Sequence, residues 1–308
     1  MDTTHLPNLD PDLAGILEVI PETDAVLDDV PAAREMLAAM VPALERDEPD
    51  LDVADLPLDA FGSPATARVL RPREATGPVP AIVHFHGGGF CLGGVDMEHP
   101  VLVEMARELG AVVVSVEYRL SPEHPYPAGF DDCYAGLLLA ASLDGVDPDR
   151  IAVMGTSAGG ALAAAVALAA RDRSGPRICL QVLDVPVLDD RMETASMRAG
   201  DRMPMWTRTQ AEKSWEMYLD GRPADSYAAP ARAQDLSGLP PAYVAACEYD
   251  PLRDEAIAYA ARMLVSGVSV ELHTWPGTFH GAALVQGAPV VTRMHEEVLT
   301  VLKRALAR

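Results

Sequence analysis

Gly155-Thr156-Ser157-Ala158-Gly159 sets a serine between two glycines in the spacing G-x-S-x-G. The apolar run Ile151-Ala152-Val153-Met154 precedes it and reads as a strand, while the small apolar residues from Gly160 to Ala170 read as a tightly packed helix. A serine on such a strand-to-helix turn is forced into a strained backbone conformation. The positions two before and two after it must therefore lack bulk, and both are glycine. The hydroxyl is lifted clear of the sheet, with the N–H of Ala158 pointing where an oxyanion would form. That is the geometry of nucleophilic attack on a carbonyl. Taken alone, the motif could equally be a glycine-rich turn closing a strand onto a helix. The flanking pattern and the rest of the chain favour the nucleophile.

A serine nucleophile needs a base. Of the eight histidines, His280 stands in Trp275-Pro276-Gly277-Thr278-Phe279-His280-Gly281, read as a mobile loop after the last strand that can bring an imidazole over the serine. His273 competes, but it sits inside the strand, where the pleat fixes its direction. His84 and His86 flank Phe85 and read as structural, with His86 orienting the glycines that follow it. His5, His99, His124 and His295 fall outside the strand-end loops and read as solvated or helix-surface residues. The base in turn needs an acid to fix its tautomer. Asp250, directly after the apolar run Ala242-Cys247, is the candidate, with Asp184 as its rival. Glu248 and Asp254 are less well placed, and a capping role suffices for Asp254. The order Ser, Asp, His along the chain favours Asp250. Three consecutive glycines, Gly87-Gly88-Gly89, follow the strand Ala81-Phe85 and let the backbone approach a ligand closely, as an oxyanion site demands. Cys91 comes two residues later and is expected near the entrance, where it would confer sensitivity to thiol reagents.

These residues require a scaffold that brings strand ends together. Strands are expected at Ala67-Leu70, Ala81-Phe85, Val112-Val116, Ile151-Met154, Ile178-Leu183, Ala242-Cys247 and Val268-His273. Helices are expected at Glu98-Leu109, Gly129-Ser142, Ala158-Arg171, Arg253-Val265 and Pro289-Ala307. Such alternation implies an α/β fold, a mostly parallel doubly wound sheet with ligands at the carboxyl ends of its strands. Two segments do not fit. Residues 1–50 hold two helices before any strand: one capped by Asp10-Pro11 with Leu13, Ile16, Leu17 and Ile20 on a face, the other opened by Val30-Pro31, carrying Met36, Leu37, Met40, Val41 and Leu44, and kinked or ended by Pro42. Residues 188–227 concentrate Met192, Met197, Met203, Met205, Trp206, Trp215, Met217 and Tyr218 in an aromatic-poor protein. Both segments are expected to cap residues 51–308, the catalytic domain into which the second is inserted. Adaptable apolar groups on the inner face of a cap would hold an acyl chain, with Phe90, Met205, Trp206 and Trp215 as the candidate substrate contacts; ordinary core packing is the other reading.

The 308 residues suffice for one large α/β domain, and 49% of them are hydrophobic, which excludes disorder. A formal charge of -22, with only Lys213 and Lys303 as lysines, argues against nucleic acid and anionic membranes as partners. The first twenty residues carry no Lys or Arg, the wrong sign for a secretory signal, and the longest apolar run falls short of the roughly 20 residues of a membrane span. A cytoplasmic protein is expected. Cys91, Cys133, Cys179 and Cys247 form no C-x-x-C pair and read as buried thiols of a reducing compartment. No zinc-type or phosphate-cradling motif is evident, so neither a metal nor a cofactor is expected. The last strand reads as a sheet edge, which invites pairing with a second copy, so a homodimer is an expectation.

With these motifs assembled, the chain resembles the hormone-sensitive lipase family of α/β-hydrolases, and within it the bacterial esterases with a G-T-S-A-G elbow, of the heroin esterase type. The resemblance covers His86-Gly87-Gly88-Gly89, Tyr118-Arg119-Leu120-Ser121-Pro122-Glu123, Gly155-Thr156-Ser157-Ala158-Gly159-Gly160, Asp250-Pro251-Leu252-Arg253-Asp254-Glu255 and His280-Gly281, in that order. It implies a helical cap, Ser157 as nucleophile, Asp250 and His280 as its partners, and the N–H groups of Gly88, Gly89 and Ala158 as the oxyanion hole. Ser121 departs from the alanine usual in the family, and Ala282 from an aromatic residue, which would widen the pocket near the base. The expected activity is metal-independent hydrolysis of short- to medium-chain acyl esters by a serine carboxylesterase through an acyl-enzyme. A non-catalytic small-molecule receptor on the same fold and an amidase or peptidase using the same residues are the alternatives.

Overall fold

The computed structural model describes residues 5–19, 24–41 and 48–307. Eight strands form a single sheet: β1 (Leu51–Pro57), β2 (Thr66–Pro72), β3 (Val79–Phe85), β4 (Val112–Glu117), β5 (Val146–Thr156), β6 (Leu180–Asp184), β7 (Ala242–Tyr249) and β8 (Val270–Phe279). Their order is β1-β2-β4-β3-β5-β6-β7-β8. From β4 to β8 all neighbours are parallel, while β1 and β2 are antiparallel additions at one edge. Where the order turns, between β3 and β5, strand ends open a crevice, the usual place for a site in such a sheet.

Helices cover both faces. On one, α5 (Ala128–Ser142), α6 (Ala158–Asp172) and α9 (Arg253–Val265) pack against Val83, Val114, Val153 and Val244. On the other, α4 (Val95–Leu109) and α10 (Pro289–Leu306) pack against Ile82, Val113, Met154 and Val182. The alternation of β3, β4 and β5 sends successive side chains to the two cores. The α6 helix is buried over the whole stretch from Ala158 to Ala170, and its alanines and glycines allow that close approach.

The first two helices are α1 (Pro11–Ala14) and α2 (Ile16–Val19), broken at Gly15, with Asp10 accepting from the N–H of Asp12 at 2.9 Å. Leu13 and Leu17 are buried as expected. The α3 helix (Val30–Met40) is capped by Asp29, which accepts from the N–H of Ala32. Ile20, Pro42 and Leu44, named in the expected helices, lie outside the described residues. Residues 188–227 contain α7 (Ala195–Arg198) and α8 (Arg208–Leu219), whose start carries a complete capping box between Thr207 and Gln210. The two irregular segments meet: Thr207 donates to the Asp24 carboxylate at 2.6 Å, and Lys213 donates to the Asp24 carbonyl at 2.7 Å.

Two strand expectations need correction. Ahead of the first expected strand lies β1, in an acidic stretch where no strand is expected, and it pairs residue for residue with β2. Its acids have partners there, since buried Arg68 donates to Asp55 at 2.9 Å and Arg73 donates to Asp52 at 2.8 Å. The last strand runs on past His273 to Phe279, through a proline and a glycine that read as a loop, with a register irregularity against β7. No helix among the described residues is long and apolar enough to cross a membrane.

Candidate active site

Ser157 joins β5 to α6 with φ 59° and ψ -117°, in the left-handed region that L-residues avoid. The surrounding backbone holds it there. Its N–H donates to the Asp184 carbonyl at 2.8 Å, and its own carbonyl accepts from Ala161 and Val187, each at 3.1 Å. A side chain on Gly155 would strike the backbone of Gly159, and one on Gly159 would strike the carbonyls of Phe85 and His86. The two glycines of the motif are therefore required by the contact between the turn and the end of β3, as the spacing implies.

His280 follows β8 directly and Asp250 follows β7, so both arrive at the sheet edge where Ser157 sits. The His280 Nε2 lies 3.0 Å from the Ser157 Oγ, and its Nδ1 lies 2.8 Å from the Asp250 Oδ2. Asp250 is fully buried, and its other oxygen accepts the N–H of Leu252 at 2.9 Å. A carboxylate on Nδ1 selects the tautomer whose proton is there, leaving Nε2 free to accept the serine proton. The loop expected to swing His280 into place is instead strand. Gly277 donates to the Glu248 carboxylate at 2.7 Å, and the Thr278 hydroxyl to the Trp275 carbonyl at 2.7 Å, so the imidazole is delivered by a pinned backbone.

Asp184 is the nearby acid that does not bond the imidazole. Its carboxylate accepts from the Thr156 hydroxyl at 3.2 Å, and its carbonyl accepts from Ser157, so it anchors both residues of the turn. Burial raises its carboxyl above the ordinary value, opposed by the Thr156 bond and by His280. The sequence favours Asp250 over Asp184 as the acid but carries no sign of this anchoring role. Glu248 holds Asn8 and Gly277, and Asp254 accepts the N–H of Ser196.

His84 and His86 are structural, as read. His84 Nδ1 meets the Ser115 hydroxyl at 3.2 Å, and burial lowers its pKa to about 3. His86 donates from Nδ1 to the Gly87 carbonyl at 2.7 Å and stacks on Tyr118 with centroids 4.1 Å apart. Burial lowers its pKa to about 4, so both stay neutral. His99 departs from expectation: it lies on the buried face of α4 rather than on its exposed surface. Cys91 is also buried, and its thiol is pushed up to about 12 by burial, which overturns the expectation of a reactive thiol at the entrance. Cys133 and Cys247 are buried too, while Cys179 is partly exposed.

The glycine loop lies against the turn, since a methyl on Gly87 would stand 3.2 Å from the Thr156 carbonyl and 3.7 Å from the Ser157 Cβ. Gly88 and Gly89 take φ values of 114° and 57°, which glycine adopts freely. Among the described residues, the N–H groups of Gly88, Gly89 and Ala158 donate to no protein acceptor outside the regular elements. Of the expected substrate contacts, Trp206 lies over the loop: its ring would be 2.8 Å from a Cβ on Gly89, and its centroid is 5.8 Å from that of His280. Met205 packs beside Gly281. Phe90 stacks on Tyr218 at 3.9 Å and leans on Trp215 at 5.6 Å, so this trio fills the space between loop and α8. Among the described residues, Glu271, His273 and Glu297 could bring three ligand atoms within 4.8 Å of one another; they lie on β8 and α10, apart from Ser157 and its partners.

A nucleophile elbow, an imidazole at the end of the last strand and a carboxylate at the end of the one before it, all on a mostly parallel doubly wound sheet, define a class, and residues 82–284 match the family described by the alpha/beta hydrolase fold. The chain belongs to that α/β-hydrolase family, in its hormone-sensitive-lipase-like branch. It is 38% identical over 318 aligned positions to the carboxylesterase NlhH of Mycobacterium tuberculosis, covering 99% of this chain and 98% of that one. An arylesterase of Saccharolobus solfataricus is 34% identical over 76% of each chain. Among solved structures, a bacterial heroin esterase superimposes with a TM-score of 0.91 at 45% identity, covering 98% of this chain and 99% of that one. The protein is thus a carboxylic ester hydrolase, and neither the receptor nor the amidase reading is favoured.

Proposed function

We propose that Ser157, His280 and Asp250 are the catalytic triad of a serine carboxylesterase acting on short- to medium-chain acyl esters. The observation that carries this reading is the unbroken hydrogen-bonded chain from carboxylate to imidazole to hydroxyl, at 2.8 and 3.0 Å. Ser157 attacks the ester carbonyl while His280 takes its proton at Nε2, and the imidazolium so formed is stabilised by buried Asp250. The N–H groups of Gly88, Gly89 and Ala158 receive the oxyanion. His280 returns the proton to the leaving alkoxide, and a water then attacks the acyl-enzyme by the same route. The described parts of residues 1–50, together with residues 188–227, form the cap over the rest of the catalytic domain, and Met205 and Trp206 line the side of the site next to the base. The names of the relatives, a carboxylesterase and an arylesterase, agree with a small ester as substrate.

Labelling with a fluorophosphonate tests the nucleophile: one adduct on Ser157 is expected, and modification elsewhere with Ser157 untouched would refute it. A panel of p-nitrophenyl esters graded by acyl length then tests the substrate class, with kcat/KM expected to peak at short to medium chains. We also assign the protein to the cytoplasm and to a homodimer paired through the exposed edge of β8. Light scattering that gives only a 32.8 kDa species would remove the dimer.

A further inference from the structure

Three consecutive residues of the glycine loop, Gly88, Gly89 and Phe90, have positive φ values of 114°, 57° and 62°. The two glycines reach these values freely, so nothing of their own fixes the direction of their peptide planes, and Phe90, which does not, is held there by its surroundings. Each peptide plane carries one residue's carbonyl and the next residue's N–H, so whatever grips the carbonyl also aims the N–H. The plane bearing the Gly88 N–H is gripped by His86 Nδ1 on the Gly87 carbonyl at 2.7 Å. The plane bearing the Gly89 N–H is gripped through the Gly88 carbonyl by Leu92 at 2.9 Å and Cys91 at 3.1 Å.

The next planes are gripped from elsewhere. The Gly89 carbonyl accepts the Ser214 hydroxyl of α8 at 2.7 Å, and Ser214 is 1% exposed. The Phe90 carbonyl accepts the N–H of Ser121 at 2.9 Å. The Cys91 carbonyl accepts Arg34 Nε of α3 at 2.8 Å. The same guanidinium reaches the Ser121 carbonyl at 2.8 Å and forks onto Glu123 with two bonds of 2.9 Å. Arg34 thus ties together the far end of the loop and the turn that holds Phe90. One helix of each cap segment, α3 and α8, contributes one side chain to the backbone of the loop.

We infer that Ser214 and Arg34 are positioning residues: they hold the peptide planes that follow Gly89 and the turn behind them, and so the cap fixes, through the next planes of the loop, the direction of the Gly88 and Gly89 N–H groups that His86, Cys91 and Leu92 grip directly. The cap is then part of the oxyanion device as well as a cover for the acyl group. This rests on the reading of those N–H groups as the oxyanion hole. A side chain that only packs the cap would affect ground-state and transition-state ligands alike. One that aims the N–H groups would weaken only the species carrying an oxyanion.

The test uses Ser214→Ala, Arg34→Met, the double variant and the milder Arg34→Lys in the full chain, each checked by thermal unfolding. Kinetics on p-nitrophenyl acetate are compared with inhibition by a trifluoromethyl ketone, which adds to the serine as a hemiketal oxyanion, and by the matching methyl ketone. Each single variant is expected to lower kcat roughly tenfold and the double variant roughly a hundredfold, with KM within about twofold. The trifluoromethyl ketone should weaken in proportion to kcat and the methyl ketone should not change, while Arg34→Lys recovers part of the loss. Parent values of kcat and Ki in the double variant would overturn the inference. So would an equal loss for both ketones, which is the signature of a damaged pocket or fold. A wild type that binds the trifluoromethyl ketone no tighter than the methyl ketone would instead refute the oxyanion-hole reading beneath it.

Discussion

The turn around Ser157 and the proposed cap above it are built on opposite principles. At the turn, backbone meets backbone: Gly155 against Gly159, Gly159 against the end of β3, Ser157 against the carbonyl of Asp184. In the cap, side chain meets side chain or carbonyl: Thr207 and Lys213 on Asp24, Ser214 on Gly89, Phe90 stacked under Tyr218. Backbone contacts leave almost no alternative residues, whereas methionine and tryptophan packing admits many. The contrast implies that the chemistry resides in the invariable geometry of the sheet edge and that selectivity resides in the cap.

Substitutions on the two sides should therefore fail differently. Ser157→Ala removes the nucleophile without touching the packing, so kcat on p-nitrophenyl acetate should fall by as much as ~10⁶-fold at an unchanged melting temperature. A variant that kept parent turnover would end the contrast, since the turn would then carry no chemistry. Gly159→Ala should fail as a fold rather than as a catalyst. Its new methyl meets two carbonyls that cannot move independently, and denaturant titration should show a loss of about 4 kcal/mol or more, or no soluble protein.

On the cap side the expected effects are smaller and selective. Trp206→Ala opens space over Gly89 beside His280, so the preference for longer over shorter acyl groups should rise about tenfold in kcat/KM, with a lowered melting temperature because the ring is buried. An equal loss on every ester would instead put Trp206 with the machinery of the turn. A pH effect belongs to the rigid side. His84 and His86 have folded pKa values lowered by burial to about 3 and about 4 from an ordinary 6.5. In that interval only the unfolded chain binds their protons, so unfolding takes up protons and stability increases with pH. The melting temperature should fall as pH drops below about 6.5, with most of the contribution lost by about pH 3 to 4. His84→Gln should flatten the fall, and a slope unchanged in that variant would assign it to other groups.

Much of the turn was legible in the sequence because its requirements are local. A G-x-S-x-G between an apolar run and an alanine-rich stretch has few structural solutions, and Asp250 and His280 follow from strand ends. The misreadings share a different cause. The β1 strand was hidden because its acids suggest solvent, while the partner of Asp55, Arg68, lies on the neighbouring strand and is itself buried. The stretch from Trp275 to Phe279 read as a loop because proline and glycine normally interrupt strands, yet Gly277 is bonded on both sides, by Glu248 and by Asp10. Cys91 and His99 were placed near solvent from their position along the chain, and only tertiary packing encloses them. The roles of Ser214 and Arg34 depend on contacts across 125 and 57 positions, which no spacing rule reports.

The bonds at Gly277 have a practical side. Asp10 donates from its backbone to the Gly277 carbonyl at 3.0 Å, and Asn8 donates to Glu248, which in turn accepts the Gly277 N–H three residues before the base. Progressive trimming from the amino end should thus dull turnover once it passes residue 10, well before the protein stops folding. Affinity handles for purification are better attached at the opposite terminus.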